Sequence, residues 1–419
     1  MKLTKVINHK RQENLPFNLL KLKNDAIRHM QKNYYSPIKK SIIMKRAIFS
    51  GSFDPFTLGH LSIVEKALQS FDELIINVGN NPEKKTLFDT NTRLEMIRQT
   101  LREYGIEQRI KLIADNCLTA DLALKENVNT LIRGIRLGTN DPEAEQNLAT
   151  FNQYLGTIRG INLQTHFFKE EDSFLRTISS TGVKNLCKLQ QYIAVAKCVS
   201  PYVHKKLMVK YLESQFTRLA KYQHLMNITL TYKKLAKNYN ARAYHNLSHI
   251  SYMLNMLQIY MNCTEASWDT NKYSALILAI FAHDYICNPL AENNKEQSVK
   301  TILQEGQYDF AVPLNIAQNL VLATKHDCPA RNEEEALIAD LDLSILGTYE
   351  EDTWQQYNQN IRKEYGSISE KDYLKERIKT LESFITRPQI FQTDFFHNMF
   401  EQQARKNLGQ EITLLKSSL

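Results

Sequence analysis

Apolar residues follow two rhythms along this chain, and the change between them falls near residue 210. From Lys45 onward, short apolar runs alternate with stretches in which apolar positions recur every three or four residues. Arg46-Ala47-Ile48-Phe49 reads as a buried strand, Leu58 to Phe71 as a helix, and Leu74-Ile75-Ile76-Asn77-Val78 as the next strand. Asp89 or Thr90 caps a helix running through Arg93 and Met96 to Leu101, and Ile110 to Ile113 and Thr130 to Ile132 supply two more short strands. Such alternation predicts a parallel sheet covered by helices. After about residue 210 the strand signal disappears, leaving amphipathic patterns such as Ile250 to Ile259 and Tyr273 to Ala282. The expected fold is an α/β half followed by an all-α helical bundle.

Composition sharpens this picture in three ways. A chain of 419 residues, 43% hydrophobic and 23% charged, is globular, and its length suggests two or three domains. The formal charge of +8 is carried by residues 1–43, which hold ten basic and two acidic side chains, so the rest is neutral. That segment reads as a mobile basic arm, or as sequence upstream of a true start at Met44; a role in nucleic-acid binding would rest on it alone. The cysteines at 117, 187, 198, 263, 287 and 328 never approach C-x-x-C spacing and read as thiols of a reducing, cytoplasmic compartment. The longest apolar stretch, Ala275 to Ala282, is far below the roughly 18–20 residues of a membrane span. Residues 1–43 also lack the apolar core of a secretory signal.

The first chemical constellation lies between a strand and a helix: Ser50-Gly51-Ser52-Phe53-Asp54-Pro55-Phe56-Thr57-Leu58-Gly59-His60. Small residues there let backbone amides approach a phosphate, and the following helix directs its positive end at the same place. His60 would add an imidazole donor to charge developing on a transferred phosphoryl or nucleotidyl group. The segment from Gly51 to His60 resembles the signature loop of the phosphopantetheine adenylyltransferases, and later segments match in order. These are Asn81 to Lys85, a lysine loop; Leu131 to Arg136, an arginine motif; and Ile178-Ser179-Ser180-Thr181, a serine motif opening a late helix.

The resemblance covers about residues 44–208. It implies a Rossmann-like nucleotidyltransferase fold, ATP and 4'-phosphopantetheine as substrates, Mg²⁺ accompanying ATP, and a homo-oligomer. By the same resemblance His60 stabilises the transition state. Ser52 and Phe53 line the ATP phosphates, and Gly134, Ile135, Arg136, Glu145, Ser179, Ser180 and Thr181 contact ATP. Lys84, Thr119 and Arg133 hold phosphopantetheine, with Ser52 touching it as well.

The second constellation is helical. Tyr244-His245-Asn246-Leu247-Ser248-His249 places two imidazoles four apart, on one helix face if a helix already runs there. Phe281-Ala282-His283-Asp284, Thr324-Lys325-His326-Asp327 and Ala339-Asp340-Leu341-Asp342-Leu343 follow. Histidines and carboxylates gathered in a bundle suit one divalent metal or two. This half, about residues 211–419, is similar to the HD-domain metal-dependent phosphohydrolases. By a further resemblance to cyclic nucleotide phosphodiesterases, His245 is the general acid and His249, His283, Asp284 and Asp342 are the ligands. Asp340 is the rival for the last place, and His326 is a candidate for a second metal. Where the subfamily tends to have Asn-Glu-x-x-Ser, this chain has Asn294-Lys295-Glu296-Gln297-Ser298, which brings a cation near the metal.

The expected organisation is therefore a basic extension (1–43), an adenylyltransferase domain (44–208) and an HD phosphohydrolase-like domain (209–419) acting on a phosphorylated substrate. Another nucleotidyltransferase, or an HD half that senses a nucleotide without hydrolysing it, are the alternatives.

Overall fold

Ala47, Ile48 and Phe49 are all buried, as a strand with neighbours on both sides and helices on both faces requires. The structure is a computed structural model that describes residues 44–419 apart from 80–84, 136–140, 220–224, 266–267, 289–290 and 305–312. Arg46–Gly51 (β1) sits at the centre of a five-stranded sheet between Glu73–Val78 (β2) and Thr130–Ile135 (β4). Ile110–Ile113 (β3) and Gln164–Lys169 (β5) complete the order β3-β2-β1-β4-β5, with every pairing parallel. Ile48 lies opposite Ile75 on one side and Leu131 on the other. Alternate strand residues face two apolar clusters: Ala47, Phe49, Leu74 and Ile76 join one, Ile48 and Ile75 the other.

The chain winds outward from β1 to β3 and then returns to start β4 beside β1. In open sheets of this kind the crevice at the reversal, outside the strands' carboxyl ends, is where ligands bind. The strands expected at Ile110 to Ile113 and Thr130 to Ile132 are present, the second continuing to Ile135. β5, Gln-Thr-His-Phe-Phe-Lys, has no counterpart among the expected strands, because an edge strand with partly exposed residues lacks a continuous apolar run. The helix expected from Leu58 to Phe71 ends at Ala67. Thr90–Glu103 is capped by Asp89, whose side chain accepts from the Thr92 N–H at 2.9 Å.

After β5 the described residues are helical. Pro201–Thr217 begins at a Ser200 cap with proline in its first turn, and residue 209 lies within it. It packs against Thr90–Glu103, where the Thr100 and Ser200 hydroxyls meet at 2.8 Å. A single apolar cluster reaches from Met96 and Ile178 through Leu247–Cys263 and Thr270–Ala282 to Ile412, and Lys45–Leu419 form one compact unit. All six cysteines are free, and among the described residues no helix is long and apolar enough to cross a membrane.

Glu170, just beyond β5, ties that strand to the first helix. Its carboxylate accepts from Ser62 Oγ, from Lys66 Nζ at 2.9 Å and from the Asp172 N–H at 3.0 Å. Burial pushes this carboxyl up, but the three donors outweigh it and hold it down at about 2. A folded-state value below the unfolded one, roughly 4.3, adds stability that is fully present above pH 4.3 and is lost as the pH falls toward 2. Glu170→Gln should therefore be less stable than wild type by about 2 kcal/mol at neutral pH. Denaturant titrations at pH 7, 4 and 2.5 should show that gap closing as the pH drops.

Candidate active site and candidate metal centre

The Thr57–His60 segment opens the helix Leu58–Ala67 with a capping box in which histidine replaces the usual glutamate. The Thr57 side chain accepts from the His60 N–H at 3.4 Å, and the Thr57 N–H donates to His60 Nδ1 at 3.0 Å. A ring nitrogen that accepts a backbone N–H carries a lone pair, so the proton of a neutral His60 lies on Nε2. The imidazole stacks on Phe56 at 5.5 Å and meets the edge of Phe53 at 5.2 Å. Phe53 adopts φ +47°, a left-handed conformation uncommon for an aromatic residue, and its ring is buried beneath this stack. A Cβ on Gly59 would lie 3.1 Å from the Leu175 carbonyl, so the sequence Thr-Leu-Gly-His combines a cap, a close approach and an anchored imidazole.

Two buried charges hold the loop. Arg93, 1% exposed, donates to the Ser52 carbonyl at 2.6 Å and the Gly79 carbonyl at 3.2 Å, joining the ends of β1 and β2. Asp54, 2% exposed, accepts from the Leu87 and Phe88 N–H groups at 2.8 and 3.1 Å and from Lys184 Nζ at 3.0 Å. Asp54→Ala would leave two N–H groups and an ammonium without their acceptor, at a cost of about 3 kcal/mol. Chemical denaturation of that variant should show the loss. Sequence reasoning assigned roles to neither residue, although an arginine within an apolar helical pattern was the available signal for Arg93.

Arg133 reaches across the crevice from β4 to donate to the Ser50 carbonyl at 3.3 Å, and its Nε lies 3.7 Å from Glu145. Burial lowers the pKa of its guanidinium and Glu145 opposes that shift. Gly134, next on β4, lets the first helix approach, since a Cβ there would stand 3.1 Å from Ile63. Ile135 closes the strand. Ser179 caps Ser180–Lys188 by accepting from the Gly182 N–H at 2.9 Å, and Ser180 donates to the Pro55 carbonyl at 2.8 Å. Both hydroxyls thus have structural partners, while Thr181 in the same first turn is exposed. Ser52, Phe53, His60, Arg133, Gly134, Glu145, Ser179 and Ser180 are therefore gathered around one loop. Thr119 opens the helix Thr119–Glu126 beyond β3, two strands away along the same carboxyl edge. Lys84 and Arg136 lie outside the described residues.

The helical half brings a second set together. Asn246 caps the helix Leu247–Cys263 by accepting from the Ser248 N–H at 2.7 Å, so His245 precedes that helix and does not share a face with His249. The expectation of two imidazoles on one helix face is corrected accordingly: a capping asparagine in extended conformation ends helical geometry between them. The two rings still converge, at 5.8 Å.

His249 Nε2 lies 3.2 Å from Asp342 Oδ1 and 3.2 Å from His283 Nε2, and His283 Nε2 lies 2.9 Å from Asp284 Oδ2. The four donor atoms all lie within 4.8 Å of one another. His283 Nδ1 donates to the Ile280 carbonyl at 2.9 Å, which reserves Nε2 for a cation. Donors about 2.0–2.3 Å from one ion stand roughly 3–3.5 Å apart, so this set fits a divalent metal, as do two nitrogens facing each other within a buried carboxylate pair. Asp340, the rival, is fully buried elsewhere: it accepts from the Gln392 and Thr393 N–H groups and the Thr393 hydroxyl, at the start of Asp394–Ser417. His326 Nε2 contacts Asp342 Oδ2 at 2.9 Å.

His245 is held by Glu364. One carboxylate oxygen meets Nδ1 at 2.5 Å and the other accepts from the Tyr244 and His245 N–H groups at 2.8 and 3.0 Å. Burial works against the imidazolium, but Asp284, Cys287 and Glu364 raise its pKa well above the ordinary value. The Glu364 carboxyl, pushed up by burial, is drawn down to about 2 by His245. Asp284 and Asp342 are held well below the usual range: burial opposes this, while His283 and Lys295 favour the Asp284 anion and His249 and His283 that of Asp342. Sequence reasoning assigned no role to Glu364 or Cys287, which lie far apart in the chain and meet only through packing. A cavity of about 480 Å³ opens onto His245, Asp284, Lys295, His326 and Asp342.

Residues 48–186 match the cytidylyltransferase-like family, which places the α/β half among the nucleotidyltransferases, in keeping with its doubly wound sheet and its anchored histidine at the strand-order reversal. The relatives narrow this further. The chain is 39% identical over 166 residues to phosphopantetheine adenylyltransferase of Phocaeicola vulgatus, covering 99% of that protein and 40% of this chain. It is 42% identical over 143 residues to that of Bacteroides thetaiotaomicron, covering 88% of that protein and 34% of this chain. The chain belongs to the phosphopantetheine adenylyltransferase family. Among solved structures, a nicotinic acid mononucleotide adenylyltransferase of Plasmodium falciparum complexed with NaAD aligns over 40% of this chain and 96% of its own, at 16% identity and TM-score 0.31.

Proposed function

We propose that the α/β half transfers the adenylyl group of ATP, carried as its Mg²⁺ complex, to 4'-phosphopantetheine. A phosphate oxygen of the acceptor bonds to the α-phosphorus of ATP, the bond to the β-phosphate oxygen breaks, and dephospho-coenzyme A and pyrophosphate leave. The observation carrying this reading is the His60 imidazole, fixed through Nδ1 and packed on Phe53 and Phe56 in the loop that leaves β1, with the Arg133 guanidinium of β4 bonded to Ser50 at the start of the same loop. Its Nε2–H is suited to donate to the negative charge that grows on the α-phosphate. Arg133 would neutralise the acceptor phosphate, and the positive ends of Leu58–Ala67 and Ser180–Lys188 favour anions at the same loop. In this reading Lys84 and Arg136 add cations, Thr119 the far edge of the acceptor site, and Gly134, Ile135, Glu145, Ser179, Ser180 and Thr181 the ATP contacts. Offering ATP or CTP with competing phosphate acceptors and following pyrophosphate tests the choice of substrates. Turnover should require ATP and phosphopantetheine, and turnover with CTP alone would overturn it.

The helical half we read as an HD-type metal-dependent phosphohydrolase, with His249, His283, Asp284 and Asp342 holding a divalent ion. The ion would supply Lewis acidity to a phosphoryl group and to water. His245, protonated and oriented by Glu364, would deliver its proton to the departing oxygen as the P–O bond breaks and water adds to phosphorus. Incubating the full chain with Mn²⁺ and small phosphoesters should release inorganic phosphate, and turnover of none would contradict this reading. On the helix Asp141–Ile158, Leu148, Phe151, Tyr154 and Ile158 are exposed at helical spacing, which supports a homo-oligomer.

A further inference from the structure

Both carboxylates of the metal cluster have one oxygen turned toward the two ligand histidines and one committed elsewhere. Asp284 Oδ2 faces His283, whereas its Oδ1 accepts from Lys295 Nζ at 2.7 Å. Asp342 Oδ1 faces His249 and His283, whereas its Oδ2 meets His326 Nε2 at 2.9 Å. A two-ion phosphoesterase needs a carboxylate to bridge ions about 3.5–4 Å apart, and the outer oxygen of Asp284, where a second ion would sit, already carries the Lys295 ammonium. The neighbouring trio of His245, Cys287 and Glu364 is likewise engaged, since both Glu364 oxygens already accept hydrogen bonds.

Lys295 is held in place by its neighbours. Asn294 accepts from the Asn288 N–H at 2.9 Å and donates to the Asn288 and Ala291 carbonyls at 2.9 and 3.0 Å. The Ser298 hydroxyl accepts from the Ile286 N–H at 2.9 Å. These bonds clamp Asn294–Ser298 over the turn that follows Asp284 and leave the ammonium lining the cavity. The cavity's remaining wall includes Tyr357, Tyr365 and Tyr373.

We propose that this centre holds a single divalent ion and that Lys295 takes the place of a second cation, gripping the phosphoryl group of a small phosphoester whose organic part lies against the tyrosine wall. This rests on the metal-centre reading above. An ammonium supplies one fixed positive charge and three donors, so it neutralises phosphate oxygens without activating a second water. A volume near 480 Å³ suits a small molecule and excludes a folded nucleic acid.

The test uses the full chain loaded with Mn²⁺, with metal content read by elemental analysis and inorganic phosphate binding by calorimetry. Wild type should hold one ion in this half. Lys295→Gln should keep that ion and bind inorganic phosphate at least tenfold more weakly, and Lys295→Arg should recover part of the loss. Two ions in the wild-type centre, or equal phosphate affinity in Lys295→Gln, would overturn the proposal while leaving a metal centre standing. A wild-type chain with no ion, unchanged by Asp342→Ala, would remove the metal-centre reading and the proposal with it.

Discussion

Alanine at His60 should lower the rate of adenylyl transfer by about 10²–10³-fold at saturating substrate, with little change in the KM for ATP. The magnitude is that of removing one preorganised donor from a site where negative charge develops. The effect falls on kcat because an Nε2–H aimed at growing charge matters more in the transition state than in the bound substrate. The capping box gives the experiment an internal control. Thr57→Val removes the hydroxyl that caps the helix and touches Nδ1 at 2.9 Å, but keeps the Thr57 N–H bond to that nitrogen. It should cost about 1 kcal/mol of stability and far less activity than His60→Ala. Steady-state pyrophosphate release and thermal melts on the two variants separate anchoring from catalysis.

The second large effect is expected at Asp342. Its Oδ1 lies within 3.6 Å of the Nε2 atoms of His249 and His283, the two histidines proposed as ligands. Asp342→Ala should therefore weaken Mn²⁺ binding by more than roughly 100-fold, beyond what losing an outer hydrogen-bond partner costs. It should also abolish any phosphate release, because the ion and the buried His249–His283 pair lose their shared counter-charge. Pyrophosphate formation should persist, since among the described residues the hydrogen bonds and ion pairs around the His60 loop include none to His249, His283, Asp284 or Asp342. Asp340→Asn, two residues away, should act differently. That carboxylate accepts from the Gln392 and Thr393 N–H groups and the Thr393 hydroxyl just ahead of Asp394–Ser417, and an amide with one oxygen cannot serve all three, so the variant should lose thermal stability and keep its ion.

Much of this architecture was legible because its signals are local. Four of the five strands announce themselves as apolar runs between turn residues, and the Gly-Ser-Phe-Asp-Pro-Phe-Thr-Leu-Gly-His loop carries its own chemistry. β5 did not, since an edge strand needs no continuous apolar run. The choice between Asp340 and Asp342 was unreadable for a related reason. Glu333–Leu343 is buried on nearly every side from Glu335 on, so no apolar stripe says which face looks inward. Whether His245 shared a helix with His249 depended on where the helix began, and spacing alone cannot show that Asn246 would serve as its cap. A cation at Lys295 was expected near the metal, but its bond to the Asp284 carboxylate, and the tie of Glu364 to His245 across 119 residues, appear only in the packing of the bundle.

Joining an adenylyl group to phosphopantetheine is the reaction proposed for the β1/β4 crevice. The most direct measurement is mass spectrometry of the full chain incubated with ATP, Mg²⁺ and 4'-phosphopantetheine. Dephospho-coenzyme A should appear with an equimolar amount of pyrophosphate, and both should fall together in His60→Ala. Hydrolysis of ATP without a dephospho-coenzyme A product, or equal product from His60→Ala, would contradict it.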